Sequence, residues 1–488
     1  MTSLDTRPWS ADRPAAAAPL HITSGTGWQP STWLLLVVLC GALFLDGLDV
    51  SMVGVALPSI GSDLHLGASS LQWIVSGYVL GYGGLLLLGG RASDLLGRRQ
   101  VFLTAVAVFG VASVVSAALS NDIALIALRF LKGAAAAFTV PAGLSIITTT
   151  FAEGPARNRA LSIYTVCGAS GFSLGLVFGG LLTEIGWRMT FLLPGPVAIA
   201  LVIVGLKVIP RAARGTVSFA HLDLAGALTS TASLLLLVYA VVTAPERGWA
   251  DPVTLALLVA SAALMVSFVA VERRHAQPLV RLGILRSASL VHANLAGAVM
   301  FGGYVAFQFV VTLYLQNSLG WSPLQMALGF LPAGLIVATS ATRMGPVLER
   351  FHTSALMLVG LVSLLAGYAL FLRVSPSMSY AEFLLPTMVL LGLGFALCFP
   401  SVMAQGTSDV ADHEQGLASG LVNTSIQVGG AVVLAVITAV LGGASGTPAH
   451  GELLPGMTTA ITVVAAVSLV GALGTAGRLV VLRRAAVD

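Results

Sequence analysis

Charge is what this chain has least of. Only 9% of its 488 residues are Asp, Glu, Lys or Arg, against about 25% in an ordinary soluble domain. Lysine is reduced to Lys132 and Lys207. Such a chain cannot cover itself with a water-facing surface, which excludes a soluble enzyme. Cysteine is nearly as scarce. Cys40, Cys167 and Cys398 each fall within an apolar run, and three scattered thiols make neither a disulfide framework nor a zinc site; they read as small buried hydrophobes. The eight histidines fall mostly at segment ends, with no His-Glu-x-x-His and no paired Cys/His spacing, so no metal site is expected. Nothing pairs a nucleophile with a base as a membrane enzyme would need. A phosphate-binding Gly-Lys-Ser/Thr loop is missing, which removes an ATP-driven pump. Glycine runs such as Gly81-Tyr82-Gly83-Gly84 lie inside apolar segments, outside any strand–turn–helix context. No sizeable soluble domain is present to carry a receptor's or scaffold's output.

What is present is apolar. Hydrophobic residues make up 57% of the chain and mean hydropathy is +0.94. The 54 glycines suit close packing of membrane helices. After an Ala/Pro/Ser/Thr-rich stretch, residues 1–32, read as a disordered cytoplasmic tail and lacking a signal-peptide pattern, the chain divides into fourteen apolar runs. The first is 33–56 and the last 457–480. Each is near the roughly 20 residues that about 30 Å of hydrocarbon requires. Their connecting segments alternate in charge. With the N-terminus inside, nineteen cations fall on the inner side, and only Arg188, Arg247 and Arg373 fall outside. This positive-inside bias predicts a multi-pass plasma-membrane protein (an inner-membrane protein where there are two membranes) with both termini cytoplasmic. The net charge of +4 is then topogenic, and no nucleic-acid partner is expected. Nothing in the chain points to an oligomer, and a monomer in the lipid bilayer is the expectation. The Ala-, Gly- and Arg-rich, lysine-poor composition suggests a GC-rich bacterial source.

Inside the first run stand two acids, Leu45-Asp46-Gly47-Leu48-Asp49. A charge at mid-bilayer costs about 2.5–3.5 kcal/mol on insertion scales, so an intramembrane acid is a functional candidate by default. The fourth run supplies the counter-charges, Leu128-Arg129-Phe130-Leu131-Lys132-Gly133. At 1.5 Å per residue, Asp46 and Asp49 lie roughly 10 and 6 Å below the outer face, and Arg129 and Lys132 roughly 9 and 13 Å below it. Each pair is spaced i, i+3 and occupies one helix face. The spacing therefore predicts a neutral four-charge cluster between the first and fourth helices, with Asp49 level with Arg129 and Asp46 level with Lys132. It serves either as structural salt bridges or as a proton-coupling site.

Motifs follow in chain order. Gly90-Arg91-Ala92-Ser93-Asp94-Leu95-Leu96-Gly97-Arg98-Arg99 joins the second and third runs, and a weaker copy, Gly345-Pro346-Val347-Leu348-Glu349-Arg350, joins the tenth and eleventh. Two copies at corresponding positions are what an internal repeat leaves. The first resembles the loop signature G-x-x-x-D-x-x-G-R-[RK] of the major facilitator superfamily. Arg129 to Gly133 is similar to that family's R-x-x-Q-G, with Lys132 where Gln is usual. Gly171, Gly175, Gly179 and Gly180 resemble its antiporter signature, with Leu176 in place of a proline. The fourteen-helix drug:proton antiporter branch is resembled along most of the chain. Asp49 to Pro58 looks like L-D-x-T-I-V-N-V-A-L-P with Gly54 for Asn; Gln72-Trp73-Ile74-Val75 with Tyr78, Trp187-Arg188 with Phe191, Gln277-Pro278-Leu279-Val280 and Gly416 to Gly430 add further matches.

The resemblance implies an all-α integral membrane protein: a six-helix bundle over 33–209, two inserted helices with their loops over 210–288, a second six-helix bundle over 289–482 and a tail at 483–488. It implies a proton-coupled secondary exporter of hydrophobic small molecules, such as drugs, antibiotics or related metabolites, using alternating access. The energy source would be the proton gradient, with no cofactor. Asp49 is the expected proton carrier because it matches the family position, and Asp46 is an additional acid. Tyr304 and Gln308 share one face of the ninth helix and Asn423 and Gln427 one face of the thirteenth, making them candidate substrate contacts or helix-joining polar groups. The alternative is a same-fold exporter or facilitator of a native lipid or secondary metabolite without proton coupling.

Overall fold

The computed structural model describes residues 28–152, 155–211, 223–275, 280–341, 343–375, 378–410, 415–442 and 452–485. They form sixteen α-helices: α1 Pro30–Leu64, α2 Ala68–Leu96, α3 Arg98–Ala118, α4 Asp122–Thr150, α5 Pro155–Ile185, α6 Arg188–Leu192, α7 Pro194–Val208, α8 Leu224–Arg247, α9 Pro252–Arg274, α10 Ala288–Leu313, α11 Pro323–Ala341, α12 Met344–Arg350, α13 Thr353–Phe371, α14 Tyr380–Ser408, α15 Gln415–Gly442 and α16 Met457–Ala485. Thirteen spans are long and apolar enough to cross a membrane, α6 and α7 counting together as Arg188–Val208. The 29-residue α2 is the fourteenth long segment.

Helix ends follow local chemistry. Asn121, Asp223, Asp251 and Ser287 accept a first-turn N–H from α4, α8, α9 and α10, the usual way an N-cap satisfies an orphan donor. Ser379 and Glu382 form a reciprocal capping box on α14. The sixth run is broken between α6 and α7 at Pro194, which has no N–H to continue the ladder. Pro58 does not end α1. The helix runs on to Leu64, eight residues past the end of the apolar run, because internal proline is tolerated where neighbouring helices support the backbone. The first helix also starts at Pro30, inside the stretch expected as tail, and α16 reaches Ala485. The linker motif at Gln277-Pro278-Leu279 lies outside the described residues.

The packing repeats. In the first bundle α1 lies on α5, α2 on α4, α3 on α4 and α3 on α7; in the second, α10 lies on α15, α11 on α14, α13 on α14 and α13 on α16. These four pairings correspond one for one, the three-dimensional form of the internal repeat. The bundles meet along two seams, α5 against α11 and α2 against α15, and α8 lies over the second seam with α9 packed on it. Large apolar side chains point outward all round, among them Val111 and Val115 of α3, Val259 and Val266 of α9 and Leu473 of α16, as a lipid-facing surface requires. The ends of the molecule are called here the near face, where α1 begins, and the far face, where it ends.

Glycine lets α1 and α5 approach closely. A Cβ on Gly171 would come within 2.3 Å of the Phe44 carbonyl oxygen, and one on Gly175 within 2.6 Å of the Leu48 carbonyl oxygen. The α1 and α5 backbones are thus in direct contact, the arrangement small-residue stripes permit.

Candidate functional site

The charged site is built where α1, α2, α3, α4 and α6 come together. Asp49, fully buried on α1, presents one carboxylate oxygen to the Arg129 guanidinium and the other to the Lys132 ammonium. Arg129 also donates from Nε to the Ile74 carbonyl of α2 at 3.0 Å and lies 4.6 Å from the centre of the Tyr78 ring. Lys132 Nζ sits 4.8 Å from the Phe109 ring of α3 and 5.4 Å from that of Phe191 on α6. Both cations thus have an anion on one side and aromatic faces on the other, the two environments that compensate best for lost water.

Asp46 is also buried, at 8% exposure, but it has no ion-pair partner among the described residues, and its Oδ2 makes no hydrogen bond. The expected pairing of Asp46 with Lys132 is therefore corrected: both cations go to Asp49. The reason is the packing. α1 lies on α5 and α4 on α2, so the two charged faces are not opposed rung by rung, and the long cationic side chains reach across to one acid.

The loop motif divides by environment. α2 ends at Leu96, Gly97 adopts φ +93°, and α3 begins at Arg98; that backbone conformation is open to glycine and strained for most other residues. Arg99 donates from Nη2 to the Leu206 carbonyl of α7, fixing the junction to the sixth segment. A Cβ at Gly90 would first meet Pro141 of α4 at 3.9 Å, ordinary contact. Asp94 falls in the last turn of α2, and its side chain lies outside the described residues. The second copy forms α12, a short surface helix on which Glu349 and Arg350 are both exposed.

The glycine stripe of α5 faces two ways. Gly171, Gly175 and Gly179 lie against Phe44, Leu48 and Met52 of α1, whereas Gly180 lies against Pro323, Leu324 and Ala327 of α11, across the seam. Gly47, between the two acids, abuts the Gly168 carbonyl and the Phe172 N of α5.

Of the four candidate substrate contacts, three reach the bundle interface. Tyr304 lies between Phe172 of α5 and Phe395 of α14, ring centroids 6.0 and 5.4 Å away. Gln308 Nε2 would be 3.6 Å from a Cβ on Gly54 of α1. Gln427 lies against Gly83 of α2, and its Oε1 has no partner. Asn423 donates to the Ser419 carbonyl of its own helix at 3.0 Å. Sequence reasoning missed Phe172, Phe395 and Gln316. The last, in the π-helical turn Tyr314–Ser318 that follows α10, donates to the Val55 carbonyl of α1 at 2.9 Å. The aromatic seat of Lys132 was missed as well; Phe109 and Phe191 carry no motif that ties them to a cation 20 to 60 residues away.

A repeated six-helix bundle with a charge cluster sealed in one copy, and polar and aromatic side chains gathered where the copies meet, has the build of a membrane transporter. The chain belongs to the Major Facilitator Superfamily, whose profile matches residues 39–434. It is 37% identical over 438 residues to the puromycin resistance protein pur8 of Streptomyces alboniger, covering 88% of this chain and 86% of the relative. It is 35% identical over 433 residues to the cephamycin export protein CmcT of Amycolatopsis lactamdurans, covering 88% and 89%. Among solved structures, a bacterial homologue of the human lysosomal transporter Spinster, inward-facing and unoccupied, superposes with a TM-score of 0.65 at 16% identity, covering 92% of this chain and 97% of that one. That likeness bears on the fold alone. The family and these relatives are transporters, not enzymes, and the sequence relatives are antibiotic resistance and export proteins.

Proposed function

We propose that this protein is a proton-coupled exporter of hydrophobic small molecules, antibiotics or related metabolites, in a bacterial plasma membrane, acting as a monomer with its near face and both termini cytoplasmic. The orientation rests on the cation bias of the sequence, and the export role on the relatives' names. Alternating access would proceed by rocking of the two bundles about the seams, with substrate held between them near Tyr304, Gln308 and Gln427.

The observation that carries the coupling is the unequal treatment of the two acids. Protonating Asp49 would strip the anion from two buried cations at once. Among the described residues Asp46 has no cation of its own, and one of its carboxylate oxygens is bare, so it can take and release a proton without breaking an ion pair. Asp46 is accordingly assigned the exchanging proton and Asp49 the anchoring anion, a reversal of the roles that family position alone suggests. With Asp46 ionised the four charges sum to zero, and with it neutral they sum to +1. A change of one charge in a buried cluster gives inward-open and outward-open states the different stabilities that coupling requires.

The test compares cellular accumulation of a panel containing puromycin, cephamycin and several lipophilic dyes, with and without the protein, and then with a proton uncoupler. The reading requires at least one compound to be excluded by the protein and readmitted by the uncoupler. Exclusion that survives the uncoupler removes the proton coupling. No exclusion at all removes the export role.

A further inference from the structure

A second pair of acids lies away from the charged site, at the base of the inserted hairpin. Asp223 immediately precedes α8 and Glu272 is in the last turn of α9; they are 2% and 4% exposed. Each spends one oxygen on the backbone. Asp223 Oδ1 accepts the Gly226 N–H at 2.6 Å, and Glu272 Oε2 accepts the Val280 N–H at 3.2 Å. Each leaves the other oxygen, Asp223 Oδ2 and Glu272 Oε1, buried and without a partner. The two bare oxygens converge on one point: a Cβ on Gly226 would lie 2.5 Å from the first and 2.7 Å from the second. Glycine at 226 leaves the space between the two carboxyls open, where a side chain would fill it.

Neither carboxyl has an ion-pair partner among the described residues. His275 caps α9; Arg273 and Arg274 on α9, and Arg281 and Arg286 around the short three-ten helix that follows, are exposed. Two buried carboxylates whose bare oxygens face one point repel when both are ionised, and sharing one proton turns that repulsion into a hydrogen bond. We propose that Asp223 and Glu272 form a second proton-binding site, a carboxyl–carboxylate pair that holds one proton and fastens the base of the α8–α9 hairpin. Through Gly226 and Val280 the pair joins the chain entering the hairpin to the chain leaving it for the second bundle. Losing the proton to the near-face solution leaves two like charges side by side and loosens that join.

The purified transporter in lipid nanodiscs provides the test, with no transport required. Infrared spectroscopy follows the carbonyl stretch of protonated carboxylic acid as pH rises, and thermal unfolding is recorded over the same range. An amide in place of either acid supplies the missing hydrogen permanently. The wild type is expected to lose one acid band and melt at a lower temperature as pH rises; Asp223→Asn and Glu272→Gln should both lack that band and its pH-dependent loss of melting temperature. A band from Asp46 would persist in all three proteins, whereas spectra and melting profiles identical to the wild type in both variants overturn the assignment. So does a wild type destabilised by EDTA and restored by Mg²⁺, which would make the occupant a metal ion. Because neither readout uses substrate, the outcome is independent of whether Asp46 carries the transported proton.

Discussion

Among the described residues, Asp49 is the sole anion touching two buried cations, so its removal should act on stability before it acts on transport. Leaving a buried ion without its partner costs about 3–5 kcal/mol. Asp49→Asn is expected to lower the melting temperature of the detergent-purified protein strongly, and adding Lys132→Met, which removes one orphaned charge, should recover part of the loss. Asp46→Asn removes no ion pair and should melt close to the wild type. Which acid would hold the cations was not legible in the sequence. The i, i+3 spacing placed all four charges at one depth, but side-chain reach and the angle between α1 and α4 decide the pairing, and neither is a property of one helix. Lys132, the departure from the usual Gln, was legible as unusual, while its seat between Phe109 and Phe191 needed three helices to be placed.

At the scale of the helix, the α1–α5 contact bears directly on the charged site, because it sets the rotation of the α1 face that carries both acids. Gly171→Ala would drive a methyl to 2.3 Å from the Phe44 carbonyl oxygen, and overpacking of this kind costs roughly 1–3 kcal/mol. Gly345→Ala, where nothing lies within 4 Å of the added carbon, should be nearly neutral; equal melting temperatures for the two variants would refute the packing argument. The glycine spacing showed a close helix contact in advance, since small residues every four positions line one face. It did not show that Gly180, one residue past Gly179, turns to α11 instead of α1, because a stripe does not name its neighbours. The absent proline at Leu176 leaves α5 unbroken in sequence terms, and the structure shows one helix from Pro155 to Ile185.

For the molecule as a whole, the fold was the most legible level. Fourteen apolar runs and two copies of a loop motif are enough to specify a many-helix membrane protein with an internal repeat, and the resemblance to the family implies its division into two bundles and an insert. The position of the insert was not: only the structure lays α8 across the α2–α15 seam and leaves the α5–α11 seam without it. That second seam offers a test of rocking. The Cβ of Ala327 lies 2.8 Å from where a Cβ on Gly180 would sit, about 1 Å inside a relaxed disulfide's span, so a small shift admits a crosslink. Oxidising Gly180→Cys/Ala327→Cys should stop export and reduction should restore it, with the single variants unaffected by oxidant. Export that continues through the crosslink would show that the far end of this seam does not open.

The central claim is that Asp46 exchanges the proton that drives export. Its most direct measurement is uptake into proteoliposomes, under an imposed pH gradient, of a compound from the panel that the protein excludes from cells. The account predicts that the wild type concentrates the compound only while the gradient lasts, and that Asp46→Asn brings it to equal concentration on both sides, exchanging labelled for unlabelled molecules without accumulating them. Gradient-driven accumulation by Asp46→Asn at the wild-type level would contradict it.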